Sequence, residues 1–262
     1  MNATPALERL LKRDRLVLGA GLAALTFSAW GYMVYEARAM TLTGACCCAG
    51  MKMSGPDLKP WSTSTLAPLF LMWSEMMVAM MLPSAAPMIL TFAMVNRKRR
   101  EQEEPFVSSG IFVLGYLLVW TGFSLVAAVV QWILHATALL SPMMVSTSSA
   151  LAGALLVAAG IFQWTSWKAA CLRQCRAPLS FLMTDWREGG WGALAMGLKH
   201  GAYCTGCCWF LMALLFVAGV MNMWWVALIA GFVLLEKIAG IRVGKVAGAL
   251  LAAWGVWTMV KG

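Results

Sequence analysis

The chain has 262 residues, 61% of them hydrophobic and only 12% charged, with a formal charge of +9 and a mean hydropathy of +0.75. A soluble domain carries about 25% charged residues, so these proportions exclude an ordinary water-soluble globule and point to lipid as the solvent. The basic excess is accounted for by membrane orientation and gives no reason to expect a nucleic-acid partner.

Seven apolar spans follow in chain order, at about residues 16–35, 66–95, 108–134, 147–167, 191–219, 222–239 and 246–260. Each is near the roughly 20 residues that cross a bilayer, and the seventh is short. The first is longer than the apolar region of a cleavable signal and reads as a retained helix. Lys and Arg alternate between sides. Arg9, Lys12, Arg13, Arg15, then Arg97, Lys98, Arg99, Arg100, then Lys168, Arg173, Arg176, Arg187, and finally Lys237, Arg242, Lys245 put fifteen of the 20 basic residues on one side. Arg38, Lys52, Lys59 and Lys261 lie opposite, and Lys199 falls within a span, where it can snorkel to the interface. The expectation is an all-α, polytopic transmembrane helical bundle of about seven helices, one domain over residues 1–262. Its N-terminus is cytoplasmic and its C-terminus outside, in a cell inner membrane. The lipid bilayer is the first partner.

The longest connections are an outer loop at 36–65 and inner loops at 96–107 and 168–190. No repeat or low-complexity tract interrupts the bundle. "GIRVGK" lacks the spacing and the hydroxyl of a phosphate-binding loop, so nucleotide-driven work is not expected.

The fifth span holds "HGAYCTGCCWF", residues 200–210. At 100° per residue, His200, Cys204 and Cys207 fall within about 60° of one another, and Cys208 widens the arc to about 100°. Imidazole and thiolate bind Cu(I) and Zn(II). A single cysteine would read as a small hydrophobe in the packing. Four ligand-type residues on one face favour a metal, with redox chemistry as a further option. Gly197 and Gly201 form a small-xxx-small pair that admits a neighbouring helix closely.

The second span reads "LMWSEMMVAMMLPSAAPMIL". Glu75 counts here as the only acidic residue within a span, at a cost of several kcal/mol unless it is paired or hydrated. Met72, Met76 and Met80 share its side at spacings of four. Thioethers suit Cu(I) more than Zn(II); methionine also fills cores, but filler does not explain an ion. Pro83 and Pro87 free backbone carbonyls on this helix. Run antiparallel, the second and fifth helices place Glu75–Met81 and Cys204–Cys208 at overlapping depths, where they are expected to meet.

Two more thiol groups stand apart. Cys171 and Cys175, four apart on the inner side, suit metal binding or redox work in a reducing compartment. Cys46, Cys47 and Cys48, with Met51 and Met53, lie outside; a soft-metal landing site, lipid attachment, a bond to another chain and simple exposure all remain open. His135, at the outer end of the third span, reads as an interfacial residue.

The segments "WSEMMVAMMLPSAAPM", "FQWTSWKAACLRQCRAPL" and "GLKHGAYCTGCCWFLMALLFVAGVMN", followed by "LLEK", carry a resemblance. From about residue 66 to 240 the chain resembles a bacterial family of metal-binding integral membrane proteins, once catalogued as a domain of unknown function. Some members are described as copper chaperones for copper oxidases such as tyrosinase-like enzymes. The resemblance implies a multi-helix membrane protein with a soft-metal role, and the chain is not expected to be an enzyme. The expectation is a membrane-embedded protein holding copper as Cu(I) between His200, Cys204, Cys207 or Cys208 and the face formed by Glu75, Met72, Met76 and Met80. The ion would exchange with Cys171 and Cys175 or with the outer loop, for a copper enzyme or a soluble copper chaperone. A membrane thiol–disulfide oxidoreductase and a non-catalytic subunit of a membrane complex are the alternatives.

Overall fold

The computed structural model describes residues 5–48, 65–102, 106–137, 148–220 and 222–261, and the side chains of 16–39 within the first helix. The helices are α1 (Pro5–Cys48), α2 (Leu66–Glu101), α3 (Ser109–Ala136), α4 (Ser149–Phe162), α5 (Ser166–Arg176), α6 (Pro178–Asp185), α7 (Gly189–Ala213), α8 (Leu215–Ala218), α9 (Met223–Ala239) and α10 (Ile241–Lys261). The architecture is all-α. Five segments are long and apolar enough to cross a membrane: Leu16–Ala39, Leu66–Glu101, Ser109–Ala136, Gly189–Ala218 and Ile241–Lys261. α9, with 17 residues, sits at the lower end of the spanning range. α4 and α5 meet at a 66° bend.

Two loop assignments change. α1 continues helically to Cys48, so the outer connection does not begin at residue 36. The cysteine triplet ends a helix; Met51 and Met53 lie outside the described residues. The connection at 168–190 is not a loop either, because α5 and α6 occupy most of it. Thr165 starts α5 by accepting a hydrogen bond from the Lys168 amide, 3.3 Å away, a standard N-cap that lets a new helix begin four residues after α4 ends.

α2 is the spine. Its 36 residues reach about 54 Å at 1.5 Å per residue, well beyond the hydrocarbon thickness, and its last turn carries Lys98, Arg99 and Arg100. It stays helical through Pro83 and Pro87. Pro83 has no amide hydrogen, so it leaves the Ala79 carbonyl without its intrahelical donor. The Trp30 indole of α1 supplies one, at 3.0 Å. That bond satisfies the freed carbonyl, makes the interior proline tolerable and ties α1 to α2.

α3 and α7 approach through glycine. A Cβ on Gly197 would strike the Phe112 carbonyl oxygen and stand 3.1 Å from the Gly115 Cα, while one on Gly201 would stand 2.9 Å from the Val119 side chain. α10 crosses α4 in the same manner through Gly153, Gly160, Gly248 and Gly255. Such close approach brings the helix backbones into van der Waals contact, which small residues at the crossing permit.

The buried core is also polar in places. The Trp73 indole donates to Gln131 Oε1 at 2.6 Å. Glu75 is not the only acidic side chain within the spans: Glu236 lies in α9, almost wholly buried, with Lys168 Nζ 2.7 Å from its Oε2. Lys168 is therefore not a solvated loop cation. His135, in the last turn of α3, is buried. Lys199 is exposed, with its Nζ 2.5 Å from Asp185 Oδ1.

Candidate metal centre

α7 turns His200, Cys204, Cys207 and Cys208 inward, all at 1% exposure or less. The thiols do not face lipid. Cys207 Sγ donates to the Cys204 carbonyl at 3.1 Å, and Cys208 Sγ to the same oxygen at 2.9 Å. Both side chains thus fold back along the helix toward Cys204, which collects three sulfurs within one turn.

The bend between α4 and α5 brings the second thiol pair to the first. Cys171 and Cys175 are buried against α7. Cys175 stands within interaction range of the Cys204 and Cys207 thiols, and a Cβ on Gly206 would lie 3.0 Å from Cys171 Sγ. What the sequence presents as separate inner and mid-membrane groups is one five-cysteine cluster, and all five thiols are free.

A polar chain crosses this cluster. Lys237 Nζ donates to Cys204 Sγ at 3.1 Å and to Ser84 Oγ at 2.7 Å. Cys204 Sγ shares a hydrogen bond of 3.3 Å with the Tyr116 hydroxyl, which donates to the Met81 carbonyl at 3.1 Å. α2, α3, α7 and α9 therefore all converge on one sulfur. Ser84, Tyr116 and Lys237 were not legible as site residues. The one available signal was "LLEK", which places a lysine at the end of an apolar span.

His200 sits one turn before Cys204, inside an aromatic box. The rings of Tyr116, Phe181 and Phe112 have centroids 5.6, 5.8 and 6.1 Å from its own. Neither ring nitrogen has a hydrogen-bond partner among the described residues. Leaving a buried donor and acceptor unmet costs about 1–3 kcal/mol each, so the pocket holds an imidazole whose ligating atom is unspent.

The α2 residues divide. Met76, Met80 and Met81 are buried, and the backbone of Met81 reaches the cluster through Tyr116. Glu75 and Met72 do not. They line a cavity with α1 and with the start of α9, in which no cysteine takes part. The expected meeting of Glu75 with the thiols is not how the bundle is arranged.

Among the described residues, no three His, Cys, Asp or Glu side chains are set as a coordination sphere. The physical reason is local: Cys207 and Cys208 spend their thiols on the Cys204 carbonyl. The donor set nonetheless fits a soft ion, because free thiols and an unpartnered imidazole are gathered in the buried core of the bundle.

An all-α bundle with membrane-length helices and a core of free thiols beside an unpartnered imidazole defines the class: a membrane-type helical protein built around soft donors. Residues 70–258 match the PpoB2 family, described as copper chaperones, and the chain belongs to that family. That description supports a copper-related chaperone role, which is not an enzymatic one. No curated protein and no solved structure matches the chain.

Proposed function

We propose that the protein holds Cu(I) as cargo at the α5–α7 cluster, within an inner membrane, and hands it by ligand exchange to a copper enzyme or a soluble copper chaperone. The ligands are drawn from Cys204, Cys207, Cys208 and Cys175, with His200 completing the set and Cys171 adjoining. The observation that carries this reading is the buried His200 imidazole, unpartnered at both nitrogens, one turn from Cys204 and two from Cys207 and Cys208 on the same buried face. Binding requires only that Cys207 and Cys208 release the Cys204 carbonyl and turn toward the ion. An ion held by two thiolates carries a single net negative charge. The Lys237 ammonium, 3.1 Å from Cys204 Sγ, is then its counter-ion, and such pairing is what makes a charge tolerable at this depth.

The chain forms one domain whose N-terminus faces the cytoplasm, with α9 and the bent α4–α5 pair counted among the crossings. Setting aside Lys168 and Lys237, which are used internally, thirteen of the 20 basic residues still lie on one side.

The test is copper loading of the purified protein in detergent under reducing conditions. Wild type is expected to show thiolate-to-copper absorption and copper–sulfur scattering. Replacing Cys204, Cys207 and Cys208 together by serine abolishes both, and unchanged spectra would end the proposal. His200→Ala weakens binding while leaving the thiolate signal. Lys237→Met, which removes the counter-ion and no ligand, lowers copper affinity about tenfold to a hundredfold with unchanged stoichiometry; competition with a chromophoric Cu(I) chelator reads this out.

A further inference from the structure

A second group of soft donors lies at the other end of the α2 methionine row. Met33 and Glu36 from α1, Met72, Glu75 and Met76 from α2, and Met223 from α9 line one cavity of about 10 Å³. That is close to the smallest space that holds a single water-sized particle. Met33 and Met76 are buried, and the two carboxylates and Met223 are partly so. Glu36 accepts a hydrogen bond from the Tyr32 hydroxyl at 2.8 Å; none of the described side chains donates to Glu75. Two carboxylates facing one small cavity repel each other, and a cation between them removes that cost. Of the other five lining groups, four are thioethers, which select a soft monovalent ion over Mg²⁺ or Ca²⁺, and the fifth is the side chain of Val220. An adjoining groove of about 610 Å³ is lined by Tyr32, Glu36, Met72, Ser74 and Glu75. Ser74 Oγ is buried there without a hydrogen-bond partner. The groove gives an ion a way in, which a site enclosed on every side would lack.

We infer that this cavity is a second, weaker Cu(I) site, made of methionine sulfur and two carboxylates contributed by α1, α2 and α9, that receives copper before the thiol cluster. Its ligands are the labile kind: thioethers bind Cu(I) without a proton to lose and release it readily, whereas thiolates hold it firmly. Met80 lies one turn beyond Met76, about 6 Å along α2 at 1.5 Å per residue, and Met81 adjoins the Tyr116–Cys204 contact. The row of buried methionines on α2 thus joins the weak site to the strong one. No bond to carbon changes and no electron moves; the ion exchanges one set of sulfur donors for another. The inference rests on copper being the cargo, but it concerns different residues from those of the thiol site.

The experiment is Cu(I) titration of the full-length protein in detergent, under anaerobic conditions, followed by copper X-ray absorption. Wild type is expected to fill two classes, a tight one with thiolate character and a weaker one with thioether and oxygen ligands. The variant Met33→Leu, Met72→Leu, Met223→Leu, Glu75→Gln loses the weaker class and keeps the tight one. These changes nearly conserve volume, and the retained thiolate class shows that the variant is folded. The triple serine variant does the reverse. A wild type without the weaker class, or a weaker class that survives the four substitutions, overturns the inference. A wild type that fills the weaker class but no tight thiolate class would count against the thiol site and leave this one standing.

Discussion

A Lys168→Met variant is expected to lose about 3–5 kcal/mol of stability, the largest effect of any conservative-sized substitution in this chain. Lys168 and Glu236 are both essentially inaccessible, 2.7 Å apart. Taking a carboxylate out of water costs several kcal/mol, and only the partner ammonium offsets it. Removing the lysine strands Glu236, whose Oε1 already has no hydrogen-bond partner among the described residues. Nearby groups give little relief: the Gln163 side-chain amide is also unsatisfied, and Gly244 is present because a Cβ there would strike Glu236 Oε1. The measurement is thermal unfolding in detergent, followed by retention of a monodisperse peak after heating. The pair is not a source of net stability, so the double variant Lys168→Met, Glu236→Leu recovers most of the loss. A double variant as unstable as the single one would show that the charges do more than neutralise each other.

Gly197→Ala should follow closely, costing about 2–3 kcal/mol and lowering copper binding with it, whereas Gly201→Ala costs about 1 kcal/mol. The two glycines are one turn apart on the same face, yet their surroundings differ. Around Gly197 the obstructing atoms are backbone, the Phe112 carbonyl and the Gly115 Cα; around Gly201 the nearest are side-chain atoms of Val119. A side chain can rotate away, and a helix backbone moves only as a whole. Pushing α3 from α7 also pulls Tyr116 from Cys204 Sγ, now 3.3 Å away, and opens the aromatic box around His200. Unfolding midpoints and copper affinity should therefore fall together for Gly197→Ala. Equal costs at the two positions would mean that the helices do not meet at Gly197.

Composition and periodicity were enough for the helical class, because long apolar runs with few charges favour apolar helices. They were also enough to put His200, Cys204, Cys207 and Cys208 on one face, since the angular position of a residue on a helix depends only on its spacing. The Gly197–Gly201 pair was legible for the same reason. A helical wheel gives a direction, however, and not what lies in that direction. Cys171 and Cys175 joined the α7 thiols only because α5 breaks from α4 at 66°. Glu236 and Lys237 sit next to each other in the sequence, but the first pairs with Lys168 and the second with Cys204, a division that depends on which helix each side chain faces. Glu75 shared its face with the methionines as expected, and the packing of α1 and α9 against that face gave it Glu36, Met33 and Met223 as neighbours in place of the thiols. Spacing along one helix is a local property fixed by the chain; the partner across an interface is chosen by how whole helices pack, through glycine contacts and bends that no single segment contains.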